Sequence, residues 1–155
     1  MSEASHTAAG LETRLLEHHR QARRARVTLP LRSDEDVVGL RKQVRERAVA
    51  IALSLVDQTK LVTAASELAR NTIKYGGGGE VHLDSLADGG RHGVGLVFVD
   101  RGPGIGDLGQ ALRDGFTTGG GLGLGLGGSR RLVDEFDIES RLGEGTAVSV
   151  VKWKR

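Results

Sequence analysis

The chain has 155 residues, a formal net charge of +2, 24 glycines and no cysteine. That length fits one domain with a sheet and a few helices around one core, and the missing cysteine excludes disulfides and thiolate metal sites and suits a reducing cytoplasm. The small net charge gives no ground for a nucleic-acid partner, no apolar run reaches the ~18 residues of a membrane-spanning helix, and the start Met1-Ser2-Glu3-Ala4-Ser5-His6 lacks the pattern of a secretory signal.

Residues 1 to about 24 are polar and read as a disordered leader, leaving residues 25–155 as the folded domain. Leu11, Leu15 and Leu16 offer one face of a short helix at most. The basic run Arg20, Arg23, Arg24 and Arg26 reads as a solvated face, not as a nucleic-acid or membrane contact. His18 and His19 belong to the same polar stretch and read as solvated. From Arg26 to Arg32, Val27, Leu29 and Leu31 alternate as in a strand. Pro30 removes a donor and places that strand at an edge. Ser33 is the expected N-cap of the next helix, with Asp36 three residues on as a capping-box variant. Its apolar stripe is Val37, Leu40, Val44, Ala48, Ile51 and Leu55. Asp57 is expected to cap a second helix from Gln58 to about Tyr75, closed by a loop from Gly76 to Gly79.

Two strands follow, Glu80 to Leu86 and Gly93 to Asp100, joined through Ala87-Asp88-Gly89-Gly90 as an antiparallel hairpin. The second is nearly all apolar, as a central strand should be. Residues 101–120 read as a loop with one short helix near Leu108 to Leu112. A helix is expected from about Leu124 to Phe136. Two last strands, near Asp137 to Leu142 and Thr146 to Trp153, form a hairpin around Gly143-Glu144-Gly145. The order is β-α-α-β-β-loop-α-β-β. It implies an α+β two-layer sandwich: a mixed, mainly antiparallel sheet with helices on one face.

Three motifs carry chemistry. At about 100° per residue, Glu67, Asn71 and Lys74 share one sector of the second helix. Leu61, Ala65, Leu68 and Thr72 occupy the opposite side, so the helix can pack on the sheet and present the polar set to a ligand. Asp100 ends the central strand and is followed by Arg101-Gly102-Pro103-Gly104-Ile105. By itself an Asp there suits an Asx turn; it can equally accept a hydrogen bond from an adenine amine, with Gly102 and Gly104 allowing close backbone approach. Arg101 has no evident role. Twelve glycines lie between Gly102 and Gly128, so one segment is built for backbone freedom. Within it Gly115, Gly119 and Gly120 offer hinges, and Thr117 and Thr118 offer hydroxyls. Gly121-Leu122-Gly123-Leu124-Gly125-Leu126 puts backbone N–H groups before a helix N-terminus, which favours an anion. Gly123 to Gly128 also fits G-x-G-x-x-G, but no strand precedes it and no βαβ unit surrounds it, so the dinucleotide reading is rejected. No G-x-x-x-x-G-K-[ST] is present.

In this order, followed by Gly145-Thr146, the motifs resemble the GHKL (Bergerat-fold) ATPases and kinases. The resemblance covers about Val27 to Trp153. It implies Asn71 as the Mg²⁺ ligand, Glu67 as general base, and Asp100 with Thr146 as the adenine reader. Residues 106–120 correspond to a short ATP lid. The nucleotide contacts implied are Asn71, Lys74, Asp100, Gly102, Gly104, Ile105, Thr117, Thr118, Gly121 to Leu126 and Thr146, with ATP and Mg²⁺ as cofactors. The chain has no room for a phosphoacceptor-histidine helix pair or for the further domains of gyrase-, chaperone- and mismatch-repair-type relatives. What remains is the stand-alone serine kinases of bacterial partner switching, and the resemblance is closest to the RsbT type. The stretches carrying it are Ser33 to Val38, Ser66 to Asn71, Asp114 to Thr118, Gly121 to Leu126 and Asp134 to Ser140. That class implies cytoplasmic transfer of the ATP γ-phosphate to Ser or Thr of a STAS-domain protein (RsbS- or RsbR-like), followed by a switch to a PP2C-type phosphatase regulator. Two other readings stay open: an anti-sigma factor that sequesters a sigma factor, and a non-catalytic ATP-binding adaptor. Arg41, Lys42 and Arg45 on the first helix, or the lid, are candidates for the partner surface.

Overall fold

The computed structural model describes residues 26–107, 111–112 and 125–155. The leader, the lid threonines Thr117 and Thr118, and Gly121, Leu122, Gly123 and Leu124 lie outside the described residues. Five strands and three helices are described: β1 (Val27–Leu31), α1 (Asp34–Ala50), α2 (Leu55–Lys74), β2 (Gly79–Asp88), β3 (Arg91–Asp100), α3 (Gly125–Arg131), β4 (Glu135–Arg141) and β5 (Gly145–Trp153). The sheet order is β1-β2-β3-β5-β4. All four pairings are antiparallel, so the mainly antiparallel sheet expected from the sequence contains no parallel pair among the described residues.

β1 is an edge, as Pro30 requires, and Pro30 faces Glu80 across the pairing. β2 and β3 run longer than their apolar patterns suggest and close through two residues, Gly89 and Gly90. Their φ angles of 56° and 86° make the tight turn that matches the twist of a hairpin.

The helices lie over one face of the sheet. Leu61, Ala65 and Leu68 of α2 and Leu40 and Val44 of α1 join Val81, Leu83, Leu96, Phe98 and Val150 in one core. Each fully buried Leu or Phe contributes about 1.5–3 kcal/mol. Small residues let α2 approach closely: Ala64, Ala65 and Ala69 have no solvent exposure. Lys152 is buried on the same side. Its ammonium donates to the Leu132 carbonyl at 3.1 Å and lies 3.6 Å from Asp57 and 3.7 Å from Asp134. That cluster ties the start of α2 to the connection between α3 and β4. Burial pushes the Asp134 carboxyl up, but the Trp153 backbone N–H, Arg155 and Lys152 outweigh it and hold the group below its ordinary value.

Several element ends differ from the sequence reading. Ser33 does occupy the N-cap of α1, but its side chain caps nothing; instead Asp36 accepts from the Arg32 N–H at 2.8 Å. The α1 stripe stops before Leu55. Ala52 takes φ 59°, and the Leu53 N–H reaches back to the Ala48 carbonyl at 3.0 Å, closing the helix in a left-handed cap. Leu53 is therefore the buried residue there and Leu55 is 72% exposed. The cap of α2 is Ser54, whose side chain accepts from the Asp57 N–H at 3.1 Å, so Asp57 is first-turn and not a cap. α3 ends at Arg131 instead of Phe136, because Phe136 pairs with Val150 in β4.

Candidate nucleotide site

The site is assembled where α2, β3 and the β4–β5 hairpin meet. α2 presents Glu67 and Asn71 as its spacing predicts, while Leu61, Ala65, Leu68 and Thr72 are buried on the other side. Glu67 is part-covered, with 18% side-chain exposure, and accepts from Arg70 at 3.0 Å. Asn71 is half-buried, and its backbone carbonyl receives both the Tyr75 and Gly76 N–H groups. Lys74 is exposed, with its ammonium 5.3 Å from the Tyr75 ring centre.

Asp100 ends β3 with 8% exposure. One carboxylate oxygen accepts the Gly102 N–H at 2.9 Å, the Asx-turn contact. Burial raises its carboxyl above the ordinary 3.8, against the Gly102 and Thr146 backbone N–H groups, which lower it. The carboxylate is packed in by glycines. A Cβ on Gly76 would collide with the Asp100 side chain, and one on Gly102 would stand 2.7 Å from the Gly76 Cα. A Cβ on Gly145, at φ 136°, would strike the Asp100 carbonyl. Gly104, at φ 78°, presses on the Arg141 backbone.

The loop after Asp100 is pinned to the β4–β5 hairpin. The Ile105 N–H donates to the Ser140 hydroxyl at 2.7 Å, and the Gly143 N–H donates to the Pro103 carbonyl at 2.8 Å. Ser140 also shares a 2.8 Å bond with the Thr146 hydroxyl. Thr146 faces Asp100 directly across β5 and β3. Asp100, Gly102, Gly104, Ile105 and Thr146 are thus brought together. Gly125 opens α3 at φ 70°, whereas the Leu126 side chain enters the core, leaving only its backbone for a ligand.

Sequence reasoning missed Gly76 and Ser140. Gly76 was assigned to a helix-ending loop, and only its contact with Asp100, 24 positions on, gives it a second duty. Ser140 lies in an ordinary-looking strand; its offset of six from Thr146 becomes informative only once the hairpin is known. No group of three or more His, Asp or Glu side chains among the described residues forms a metal cluster. A single amide oxygen completed by phosphates and water suits magnesium, which keeps most of its shell from non-protein ligands, and Asn71 fits that role. No helix among the described residues is long and apolar enough to cross a membrane.

A family model described as histidine kinase-, DNA gyrase B-, and HSP90-like ATPase matches residues 56–155. The serine/threonine-protein kinase RsbT of Bacillus subtilis is 44% identical over 120 residues, which cover 77% of this chain and 90% of that protein. An anti-sigma F factor of Anoxybacillus flavithermus is 32% identical over 106 residues, covering 64% of this chain and 71% of that protein. Among solved structures, the RsbU and RsbW domains of a Mycobacterium tuberculosis protein match with a TM-score of 0.57 at 21% identity, over 85% of this chain and 33% of that one. That last likeness is one of fold, and this chain spans about a third of that protein's length.

Proposed function

The chain belongs to the histidine kinase-, DNA gyrase B-, and HSP90-like ATPase family, and within it we propose an ATP-dependent protein serine/threonine kinase of a bacterial partner-switching pathway, acting in the cytoplasm. The observation that carries the proposal is the near-complete coverage of RsbT at 44% identity by a chain that keeps Glu67 on the site side of α2. Mg-ATP, when bound, supplies the phosphoryl group. The Asp100 carboxylate accepts a hydrogen bond from the adenine amine, and Thr146, oriented by Ser140, completes that contact. The Asn71 amide oxygen would hold the Mg²⁺, which would neutralise charge on the phosphates. Glu67 takes the proton of the attacking hydroxyl as the phosphoryl group moves. Thr117, Thr118 and the Gly121 to Leu126 run are proposed phosphate contacts, as the family resemblance implies.

The proposed acceptor is a Ser or Thr of a STAS-domain protein, and the later partner a PP2C-type phosphatase regulator. A phosphate adds about −1.5 to −2 charges to the interface, which weakens one complex and frees the kinase for the other. The test is direct: incubate the protein with Mg-ATP and a STAS-domain protein that binds it, then map phosphoserine and phosphothreonine by mass spectrometry. Binding without transfer would overturn the kinase reading. The anti-sigma relative supports a second reading, in which the chain sequesters a sigma factor. Co-purification with a sigma factor would favour it.

A further inference from the structure

Lys152 is a charged residue on the helix-covered side of the sheet, and the proposed chemistry does not use it. The register puts it opposite Val94, on the same face of β5 as Val148 and Val150, which belong to the core beneath the helices. Its ammonium is held from the sheet side. It donates to the Leu132 carbonyl at 3.1 Å and lies 3.7 Å from Asp134. Asp134 is itself fixed to β5 on both sides of Lys152: its N–H donates to the Val151 carbonyl at 2.9 Å, and its carboxylate accepts the Trp153 N–H at 2.7 Å. Arg155 adds a third contact at 2.6 Å. The other acidic neighbour belongs to α2. Asp57 stands 3.6 Å from the ammonium, and because Ser54 caps the helix, the Asp57 carboxylate is left to face Lys152. Stability alone does not account for such a group. Replacing a buried ion pair by apolar side chains of like volume often leaves stability unchanged or raises it. What the pair can fix is register.

Both α2 and β5 run from this cluster to the nucleotide site. At about 1.5 Å per residue, Asn71 is about 21 Å along α2 from Asp57. At about 3.3 Å per residue, Thr146 is about 20 Å along β5 from Lys152. The far ends meet as well. A Cβ on Gly79, the strand partner of Asp100, would meet the Thr72 side chain, and Gly76 abuts the Asp100 carboxylate. The site is therefore divided between two rods, with Glu67 and Asn71 on the helix and Asp100 and Thr146 on the sheet. Apolar packing indexes these rods weakly along their length. The inward stripe of α2 mixes leucine and alanine, Leu61, Ala64, Ala65, Leu68 and Ala69, so a small axial slip meets similar side chains. We propose that the ion pair with Asp57 makes Lys152 a positioning residue. It sets where α2 lies along the sheet, and with it the distance from the adenine reader to the metal ligand and the proton acceptor. This role presupposes the kinase reading. A misplacement of about 1 Å far from the chemistry can lower a rate about 10²-fold.

The chain has no cysteine, so Lys60→Cys with Leu142→Cys places two spin labels and no others. Both positions are exposed and outside the proposed site; one reports α2, the other the β4–β5 turn. The distance between the labels is measured in this parent and in the parent carrying Asp57→Ala, which leaves the Lys152 charge paired with Asp134. In the variant the distance distribution should shift or broaden. Phosphoryl transfer should fall about 10–100-fold, and Mg-ATP affinity should fall while adenosine affinity and folding, checked by denaturant titration, are unchanged. Lys152→Met should do the same, and combining the two changes should add nothing further. An unchanged distance distribution in the folded variants overturns the proposal. So does transfer that stays at the parent's level, or an equal loss of adenosine and Mg-ATP affinity, which general loosening would give. If the parent binds a STAS-domain protein and transfers nothing, the kinase reading fails by itself. The preference for Mg-ATP over adenosine then decides: its loss together with a shifted distance supports the positioning role, and its retention overturns it. Should either variant fail to fold, Asp57→Asn, which keeps the shape and removes the charge, takes its place.

Discussion

Beside Asp100, a Cβ at Gly76, Gly102 or Gly145 would strike a neighbouring atom, whereas Glu67 and Asn71 stand part-covered on one face of α2. The Asp100 end is held by backbone contacts from Gly76, Gly102 and Gly145 and by the Ser140–Thr146 pair. The Glu67 end is held by one ion pair with a half-exposed arginine. The difference separates two tasks. Reading a flat base needs a fixed acceptor whose position is over-determined. Taking a proton from a partner's hydroxyl needs a group that the partner can reach. Binding and transfer should therefore be separable by substitution.

The largest expected effect tests that separation. Glu67→Ala should leave ATP affinity unchanged and lower phosphoryl transfer by about 10²–10⁴-fold, the range of a lost general base. Titration calorimetry beside a transfer assay measures both, and joint loss of binding and transfer would make Glu67 structural. Next, Asp100→Asn should weaken ATP binding by about 10–100-fold, from loss of a charge-assisted bond worth about 1.5–3 kcal/mol. The pH dependence sharpens it. Burial holds Asp100 above 3.8, and in the proposed site the ionised form is the stronger acceptor for the adenine amine. ATP affinity should fall as pH drops from neutral toward that value, and the step should vanish in Asp100→Asn. The stability linkage has the opposite sign: a raised folded pKa adds stability in acid that is lost as pH rises through it.

Gly76→Ala comes third. The added methyl must displace the Asp100 carboxylate, so about 1–3 kcal/mol of stability should be lost, with nucleotide binding falling in parallel. Denaturant titration measures the first and calorimetry the second. Ser140→Ala leaves the Ile105 N–H without its acceptor and should cost about 1–3 kcal/mol; unchanged stability would mean that water replaces the hydroxyl. Smallest of all, Arg70→Ala should change stability by less than about 0.5 kcal/mol, since its partner Glu67 is reached from the surface.

The sheet and its hairpins were legible in the sequence because alternation and paired glycines act locally. Val94 to Val99 announced a central strand, and Gly89-Gly90 announced its turn. Helix ends were less legible. Ser54 and Asp57 are both good caps, and only the backbone decides between them. Phe136 fits a helical stripe as well as a strand, and pairing with β5 settles it. Glu67, Asn71, Asp100 and Thr146 were proposed from the sequence because their spacing forms a pattern. Gly76 and Ser140 were not, because each acts on residues remote in sequence.

The Gly89-Gly90 turn closes β2 and β3 at the end of the sheet away from Asp100. Ten residues of β3, at about 3.4 Å each, put roughly 30 Å between the two ends. A Cβ on either glycine would meet nothing within 4 Å, but the positive φ of both strains any other residue, so an attachment needs the two glycines kept within a lengthened loop. This makes the turn a natural anchorage. An affinity tag or dye inserted there would hold the molecule by its far end, with the nucleotide end facing solution. Immobilised in that orientation, the protein could be offered successive partners on a sensor surface without the attachment competing for the site.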